Sequence, residues 1–362
     1  MIDSINGVKL AEADELPQIS AGSVVTVKGH IEAAGGGTDT SFGGVVTALV
    51  RDAEIEVECR LNDTSADGAS TPFRYSDRST VLFNGNDSVR GGEFTITFAV
   101  PRDIDYSDDT GLINIVAVNS STLEAVNGSN GDFIVGGTGA LGNDSIGPSI
   151  YCYLNSPAFV NGGNVNTTPY FVAEISDKDG LNTTGSGVGH DLVLTIDGDM
   201  AKTYVLNENF EYDFGSYTRG RTYYNIPALT PGKHTLKFRA WDILNNSSTA
   251  ELTFNVVSGL SPSLYSIDCT SNPATTSTTF IITHDRAGSN LDVEIEVFDV
   301  SGRPLWKHAE SGVSASGAYT VDWDLTGNDG CRLGTGVYIY RVKLGGDGSG
   351  MVSKAKKLII IN

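Results

Sequence analysis

Short alternating segments, separated by turns rich in glycine, asparagine and aspartate, run through the whole chain. In residues 291–297 an apolar side chain stands at every second position, with Asp292, Glu294 and Glu296 between. Successive side chains of a strand point to opposite faces, so this pattern predicts a strand with one buried and one wet face. No stretch shows a convincing helical period. The sequence therefore predicts an all-β chain built from antiparallel sheets.

Turn signals recur about every ten residues, which is typical of sandwiches with about seven strands each. Two seams rich in glycine and proline, residues 136–148 and 257–263, divide the 362 residues into three parts. We predict tandem β-sandwich domains of the immunoglobulin-like type. The predicted segments are a lead-in at residues 1–22, a β-sandwich at 23–145, an immunoglobulin-like sandwich at 146–258 and a second immunoglobulin-like sandwich at 259–362.

Two strand pairings are predicted from neighbouring patterns. Residues 43–52 and 54–62 are expected to pair through a turn at Asp52 and Ala53. The alternating strand at residues 291–298 is expected to pair with the final strand. A hairpin turn follows it, in which Gly302 supplies a positive φ.

The chain is strongly acidic, with a formal net charge of -20 and a sequence pI near 4.5. Residues 1–145 carry most of that charge, with 22 Asp and Glu against 8 Lys and Arg. Nucleic-acid binding needs a basic face, so no nucleic-acid partner is expected. No apolar run is long enough to span a membrane, and the first residues lack a leader pattern, which favours a chain that starts mid-protein.

The sequence offers no arrangement suited to catalysis. Gly137, Gly139 and Gly142 form a literal GxGxxG, but no helix can follow it, so it is interpreted as a linker. The pairs His190-Asp191 and His284-Asp285 are adjacent on strands and face opposite ways.

Four cysteines are scattered without a CxxC pair. Cys269 and Cys331 fall in the same predicted domain and could form a bridge in an oxidising compartment. Burial as small apolar groups is the alternative.

A polar loop in the middle domain is the candidate metal site, because Ca²⁺ takes carboxylate and amide oxygens from flexible loops. The candidate calcium ligands are Asp177, Asp179, Asn182, Asp191 and Asp242. No glutamate closes this loop in the EF-hand manner. The alternative is an Asx turn at residues 177–180, in which the carboxylates accept backbone N–H groups.

Several motifs resemble a known family. Residues 179–198, 206–210, 232–248 and 272–306 resemble the region that follows the peptidase domain in the gingipain-type cysteine peptidases that act as sortases of the type IX secretion system of Bacteroidetes. Residues 42–44, 83–85, 100–107 and 133–137 are similar more weakly. The end also resembles type IX sorting domains and flagellar-hook immunoglobulin-like domains, through a VFDxxGR turn at 297–303, a GVYxYR strand at 336–341 and a basic closing strand at 353–362.

This resemblance implies a non-catalytic accessory region, since the peptidase domain with its His and Cys dyad would precede Met1. It implies secretion to the cell surface and docking on an outer-membrane barrel protein of the PorV type, with type IX cargo as a further candidate partner. The residues expected to dock are Asp299, Gly302, Arg303, Gly336, Tyr338, Tyr340 and Arg341.

The alternative function is an independent cell-surface adhesin or carbohydrate-binding module. Trp241, Trp306 and Trp323 are its candidates for stacking on sugars. Each lies in or beside an alternating strand, which favours a core position instead.

Overall fold

The chain folds almost entirely into β-strands, as seen in a computed structural model that describes residues 1–59, 72–104, 106–139, 144–185, 189–346 and 348–361. The described helices are three 3-10 turns, Leu10–Glu12, Met200–Lys202 and Asn207–Asn209. The predicted all-β class is thereby confirmed. By residue contacts the chain divides into two compact units. The first unit comprises Met1–Tyr151, Ala173–Thr222 and Lys237–Glu251, and the second comprises Cys152–Val172, Tyr223–Leu236 and Leu252–Asn362.

The first sandwich lies in the first unit. Its strands are β1 (Ile2–Ile5), β2 (Val8–Lys9), β3 (Gln18–Ala21), β4 (Val24–His30), β5 (Gly44–Arg51), β6 (Ile55–Glu58), β7 (Arg74–Asp77), β8 (Val81–Arg90), β9 (Glu93–Ala99), β10 (Asp109–Thr110), β11 (Leu112–Asn119), β12 (Ala125–Asn130) and β13 (Ile134–Thr138). An eight-stranded sheet of order β12-β11-β5-β8-β9-β4-β1-β2 and a three-stranded sheet of order β10-β13-β3 supply side chains to one core.

The predicted lead-in at residues 1–22 is wrong, because it is part of this sandwich. β1 pairs with β4, and β3 pairs in parallel with β13. Ile5 and Ile19 are buried in the same core as Phe98 and Phe133. These first strands are too short to show a long alternating pattern. Together with the polar residues around them, they were therefore interpreted as a linker.

A two-stranded arm leaves this sandwich between β5 and β8. β6 pairs with β7, whereas β5 pairs with β8 and β11. The predicted pairing of residues 43–52 with 54–62 is therefore wrong. Asp52 and Ala53 are buried at the base of the arm, where the chain passes from the large sheet into the separate β6-β7 ribbon.

The middle sandwich is built from β14 (Ser149–Leu154), β15 (Asn164–Val165), β16 (Tyr170–Ser176), β17 (Leu181–Asn182), β18 (Val193–Ile196), β19 (Thr203–Val205), β20 (Phe210–Tyr212), β21 (Arg219–Asn225), β22 (Gly232–Asp242) and β23 (Ser247–Val256). One sheet has the order β14-β16-β21-β20. The other has the order β15-β23-β22-β18-β19, with β17 also pairing with β22. Inward positions such as Phe171 and Phe238 are fully buried, as their alternation predicts.

The last sandwich lies wholly in the second unit. Its strands are β24 (Leu264–Cys269), β25 (Thr278–His284), β26 (Asn290–Phe298), β27 (Pro304–Val313), β28 (Ala318–Trp323), β29 (Gly336–Gly346), β30 (Ser349–Val352) and β31 (Lys356–Ile360). A sheet of order β24-β25-β28 faces a sheet of order β27-β26-β29-β30, with β31 also on β29. Phe280 of one sheet and Ile295 and Tyr340 of the other share one core.

The predicted pairing of the final strand with β26 is wrong. β26 pairs with β27 on one side and β29 on the other, and β31 extends the sheet beyond β29. Alternation shows which face of β26 is buried, but it does not identify the neighbouring strand. The domain boundaries at residues 145 and 258 stay a prediction.

Candidate functional site

The loop that was predicted to bind calcium forms an Asx turn. Asp177 Oδ1 accepts the N–H of Asp179 at 2.8 Å, and Gly180 has a φ of 127°. Burial, with a smaller effect of the nearby Asp242 carboxylate, raises the pKa of Asp177. The side chain of Asp177 is therefore held by its own loop.

The carboxylate of Asp242 is fully buried and closes the β22-β23 hairpin. Its Oδ1 accepts the N–H of Leu244 at 2.9 Å and that of Asn246 at 2.7 Å, while Oδ2 accepts Asn246 Nδ2 at 2.8 Å. Burial raises the pKa of Asp242. These three bonds leave Asp242 with a structural role that needs no cation.

Asp179 shares Lys178 with Asp144, at 2.6 and 2.7 Å from Nζ. The Lys178 ammonium lowers the pKa of Asp144 to about 2. A cation of the chain itself thus occupies the place between these two carboxylates.

The two remaining predicted ligands are Asn182 and Asp191. Asn182 Nδ2 donates to Asp103 Oδ2 at 3.2 Å. The pKa of Asp191 is raised by burial, with Arg239 acting against it. Within the described ranges no three His, Cys, Asp or Glu side chains group as a metal site. Calcium binding by this loop stays a prediction.

Sequence reasoning missed the polar centre beside this loop. Asp103, which follows β9, binds His190 Nδ1 through Oδ2 and accepts Asn245 Nδ2 through Oδ1 at 2.9 Å. The His190 ring packs on Trp241 with centroids 4.2 Å apart. Asp103 was the available signal in the sequence, but its partners lie 79 to 142 residues away along the chain. The network joins the segment after β9 to the hairpin of the middle sandwich.

Cys152, Cys269 and His284 are kept in their neutral forms by burial. Cys269 and Cys331 are both free, so the bridge considered from sequence is not formed. Burial raises the pKa of Cys152 to about 12 and raises that of Cys269, which keeps both as thiols. His284 is buried, and its Nδ1 accepts the N–H of Arg286 at 3.0 Å.

The turn between β26 and β27 is organised by Asp299. Its Oδ1 accepts the N–H groups of Ser301 at 2.9 Å and Arg303 at 3.0 Å, and Oδ2 pairs with Arg303 Nε at 3.1 Å. The Ser301 hydroxyl also donates to Asp299. This bond has the largest effect on the pKa of Asp299, which all these bonds together lower to about 2. Gly302 has a φ of 85°, which confirms the predicted conformation.

Only part of the predicted docking strand faces outward. Tyr340 is 2% exposed and packs in the core, and Tyr338 packs against the same core with its hydroxyl on the Gly334 carbonyl at 2.8 Å. Assigning Tyr340 to a partner contact is therefore wrong, because it has the same strand parity as the buried residues Val342 and Leu344. Gly336 begins this strand on the same side as the two tyrosines.

At the turn end of β29 the outward residues are Val337, Ile339 and Arg341, and Lys343 follows on the same face. Arg341 Nε pairs with Glu296 Oε2 at 2.7 Å, and its guanidinium lies 5.2 Å from the centroid of Phe298. Phe298 leads directly into the Asp299 turn. We name the set Val300, Arg303, Val337, Ile339 and Arg341 the turn-end surface. Val300 is 72% and Val337 is 43% exposed, so this surface combines apolar side chains with two cations.

The tryptophans are less accessible than sugar stacking requires. Trp323 is 3% exposed and donates Nε1 to the Thr326 carbonyl at 2.9 Å. Trp241 lies under Arg239, at 5.3 Å. Trp306 is half-buried and stacks on Trp323 at 4.8 Å, beside a cleft of about 620 Å³ that Asp322 and Asp324 also line. Trp241 and Trp306 are both partly buried, and Trp306 borders this cleft.

The β6-β7 arm carries a second exposed apolar surface. Ile55, Val57, Phe73 and Tyr75 alternate on one face, and the rings of Phe73 and Tyr75 stack with centroids 6.1 Å apart. Phe73 is 66% and Tyr75 is 42% exposed. On the other face Arg74 pairs with Glu56 and Glu58 at 2.9 and 2.8 Å. The ribbon is thus amphipathic, and sequence reasoning did not single it out.

Paired antiparallel sheets in series place the chain among the tandem immunoglobulin-like β-sandwich proteins. No protein-family model matches the chain, and no curated protein matches it. Among solved structures, the dimeric latent PorU from Porphyromonas gingivalis is similar over 99% of this chain, with 32% identity and a TM-score of 0.46. The chain is thus similar to the C-terminal region of PorU, with that identity extending over nearly its whole length.

This chain spans 33% of the PorU chain that it matches. The matched part is the all-β C-terminal part, so catalysis within this chain is not supported. The FN1–FN3 domains of chicken CNTN1 are a distant likeness, with 10% identity and a TM-score of 0.22; the match covers 100% of this chain and 98% of that chain. SGBP-B of the Bacteroides ovatus mixed-linkage glucan utilization locus is another, with 12% identity and a TM-score of 0.26; the match covers 99% of this chain and 70% of that chain. Neither bears on function. In the described part of the chain, no helix has the length and apolar character to cross a membrane.

Proposed function

We propose that the chain is the non-catalytic C-terminal region of a cell-surface type IX secretion sortase of the gingipain type. In this role it positions the peptidase and docks it on an outer-membrane barrel protein of the PorV type, with type IX cargo as a further partner. The observation that carries the proposal is the 32% identity to PorU over 99% of this chain.

The turn-end surface supports docking. A stable contact needs an apolar centre that is shielded from water by a polar rim. Val300, Val337 and Ile339 supply apolar side chains, and Arg303 and Arg341 supply the charged ones. Asp299 fixes the turn through four acceptor bonds, which lowers the entropy that binding would otherwise cost.

Charge placed in the turn-end surface tests this role. The double variant Val337→Asp with Ile339→Asp keeps the inward face of β29 and puts two carboxylates into the proposed contact. Retention of the chain by a detergent-solubilised PorV-type barrel protein should fall by about tenfold or more, because buried unpaired charge is costly.

The matched control is Val116→Asp with Val118→Asp on β11 of the first sandwich. Those side chains are 48% and 38% exposed, comparable with the 43% of Val337, and they lie on a strand with the same alternation. The control should bind as the parent chain does. Equal binding by both double variants would contradict docking through the turn-end surface.

Carbohydrate binding keeps one candidate residue. Trp306 borders the cleft with Asp322 and Asp324, a combination that suits a hydroxyl-rich ligand. Glycan binding that is lost on Trp306→Ala would favour this function over docking.

A further inference from the structure

β27 is the outermost strand of its sheet, and part of its outer edge is already used. The Leu305 carbonyl accepts the N–H of Asn328 at 2.9 Å, and the Lys307 N–H donates to Asn328 Oδ1 at 3.1 Å. In an antiparallel pair, the N–H and C=O of every second residue point to the same side. Residues 309, 311 and 313 therefore point their backbone groups to the same outer edge.

No described residue bonds to those outward groups of Ala309, Ser311 and Val313. All three residues are exposed, with Val313 at 66%. An uncovered row of N–H and C=O groups is a template for another strand.

The opposite side of the same sheet is covered. Ala274 donates its N–H to the Ile359 carbonyl at 2.8 Å and accepts the N–H of Ile361 at 2.9 Å. Asn272 bonds to the same strand, through Nδ2 to the Lys357 carbonyl at 2.8 Å. The segment around Ala274 thus caps β31, whereas residues 309–313 have no such cap in the described chain.

The charges beside the open edge are unbalanced. On the outer face of the sheet, Glu294 pairs with Lys307 at 2.8 Å and Glu296 pairs with Arg341 at 2.7 Å. Next to residues 309–313, however, Asp292 accepts the Ser311 hydroxyl and has no Lys or Arg partner among the described residues.

Glu310 shows the same imbalance on the other face of β27. Its Oε2 lies 3.1 Å from His308 Nε2, and within the described residues no Lys or Arg forms an ion pair with it. The Tyr319 hydroxyl also bonds to Glu310. Two carboxylates without a Lys or Arg partner among the described residues therefore lie near the open edge, one on each face.

We propose that residues 309–313 of β27 bind an extended, lysine- or arginine-containing polypeptide segment by strand addition. The segment would pair its backbone with Ala309, Ser311 and Val313, and its alternate side chains would meet Asp292 on one face and Glu310 on the other. This mode derives affinity from main-chain hydrogen bonds and selectivity from the flanking side chains.

The strand-addition edge is distinct from the turn-end surface. The turn at Asp299 lies at one end of the β26-β27 hairpin, and residue 313 lies at the other. Substitutions at the edge leave Val337 and Ile339 unchanged, so the two proposals fail separately.

The test uses a fluorescent, capped peptide in which two adjacent lysines are flanked by valine and threonine, so that the extended strand presents one lysine on each face. Its binding to the full chain is measured by fluorescence anisotropy. Ser311→Pro removes one outward N–H without removing a bond to β26, and proline is tolerated on edge strands. The affinity of this variant for the peptide should fall by about tenfold or more, because the loss of one hydrogen bond and the steric clash of the proline ring both weaken binding. Ser311→Ala removes the hydroxyl but keeps the N–H, and it should bind as the parent chain does.

A second variant separates charge from backbone. Glu310→Gln should weaken the lysine peptide severalfold and leave a peptide with glutamine in place of lysine unaffected. An unchanged melting temperature shows that each variant is folded. Saturable binding that Ser311→Pro does not weaken, or no binding by the parent chain, would overturn the proposal.

Discussion

His284 is held in its neutral form inside the third sandwich. Its Nδ1 accepts the Arg286 N–H, so the ring proton lies on Nε2 and is donated to Ser314 Oγ at 2.9 Å. Burial lowers the pKa of His284 to about 4. Protonation would put a charge in the core and remove the acceptor for Arg286.

This arrangement predicts a pH-dependent stability. The unfolded chain takes up a proton on His284 below about pH 6.5, while the folded chain resists it until about pH 4. The contribution of His284 is fully present above about pH 6.5 and is lost as the pH falls towards 4. It amounts to at most about 3 kcal/mol.

The measurement is unfolding by denaturant at several pH values, followed by tryptophan fluorescence, since Trp306 and Trp323 both lie in this sandwich. His284→Gln should be less stable than the parent at neutral pH, and the gap should shrink as the pH falls. A gap that is equal at about pH 7 and pH 4.5 would show that His284 does not titrate in this way.

At the residue scale, prediction from sequence succeeded where a backbone conformation requires a particular residue type. Gly302 was assigned a positive φ and has one. Prediction failed for Tyr338 and Tyr340, which were assigned to docking. Their alternate positions in the strand place both side chains on the core face. Counting from the buried residue Val342 would have placed Val337, Ile339 and Arg341 outside.

At the scale of elements, a glycine in β8 shows how closely strand and core are matched. A Cβ built on Gly85 would lie 2.3 Å from Phe83 Cζ. Phe83 is buried and packs against Phe98 and Tyr212, each at 5.2 Å between centroids. The ring of Phe83 therefore covers the glycine, and any side chain there displaces it.

Gly85→Ala should lower the free energy of unfolding by about 1–3 kcal/mol, the usual cost of overpacking a core. Thermal or denaturant unfolding measures it. Gly128→Ala in β12 is the control, since a Cβ there meets nothing within 4 Å. Equal stability of the two variants would contradict the packing of Phe83 on this glycine.

The strands themselves were largely predictable, but their partners were not. Alternation in residues 44–51 marks a strand with one buried face, and β5 has that pattern. Its neighbours β8 and β11 are brought to it by chain segments of very different length. Local periodicity carries no information on such long-range pairing. The β6-β7 arm was misassigned for this reason.

For the whole molecule, the predicted loop site shows the same limit. The sequence grouped Asp177, Asp179, Asn182, Asp191 and Asp242 by composition. The fold uses Asp177 and Asp242 to accept N–H groups of their own turns, and it pairs Asn182 with Asp103 of the preceding sandwich. Which oxygens remain free depends on bonds that form only after folding.

Under the proposed function this chain acts by binding, and the turn-end surface of its third sandwich is the proposed docking site. Three lysines serve as crosslinking sites that distinguish the docking surface from the first sandwich. Lys357 lies on β31 opposite Ile339, whereas Lys9 and Lys28 belong to the first sandwich. All three are exposed.

Amine-reactive crosslinking of the full chain to a PorV-type barrel protein, read by mass spectrometry, is the most direct test. The account predicts that crosslinks to the barrel protein concentrate at Lys357, and that they disappear in the Val337→Asp with Ile339→Asp variant. Crosslinks that form mainly from Lys9 and Lys28, with Lys357 unlinked to the barrel protein, would contradict it.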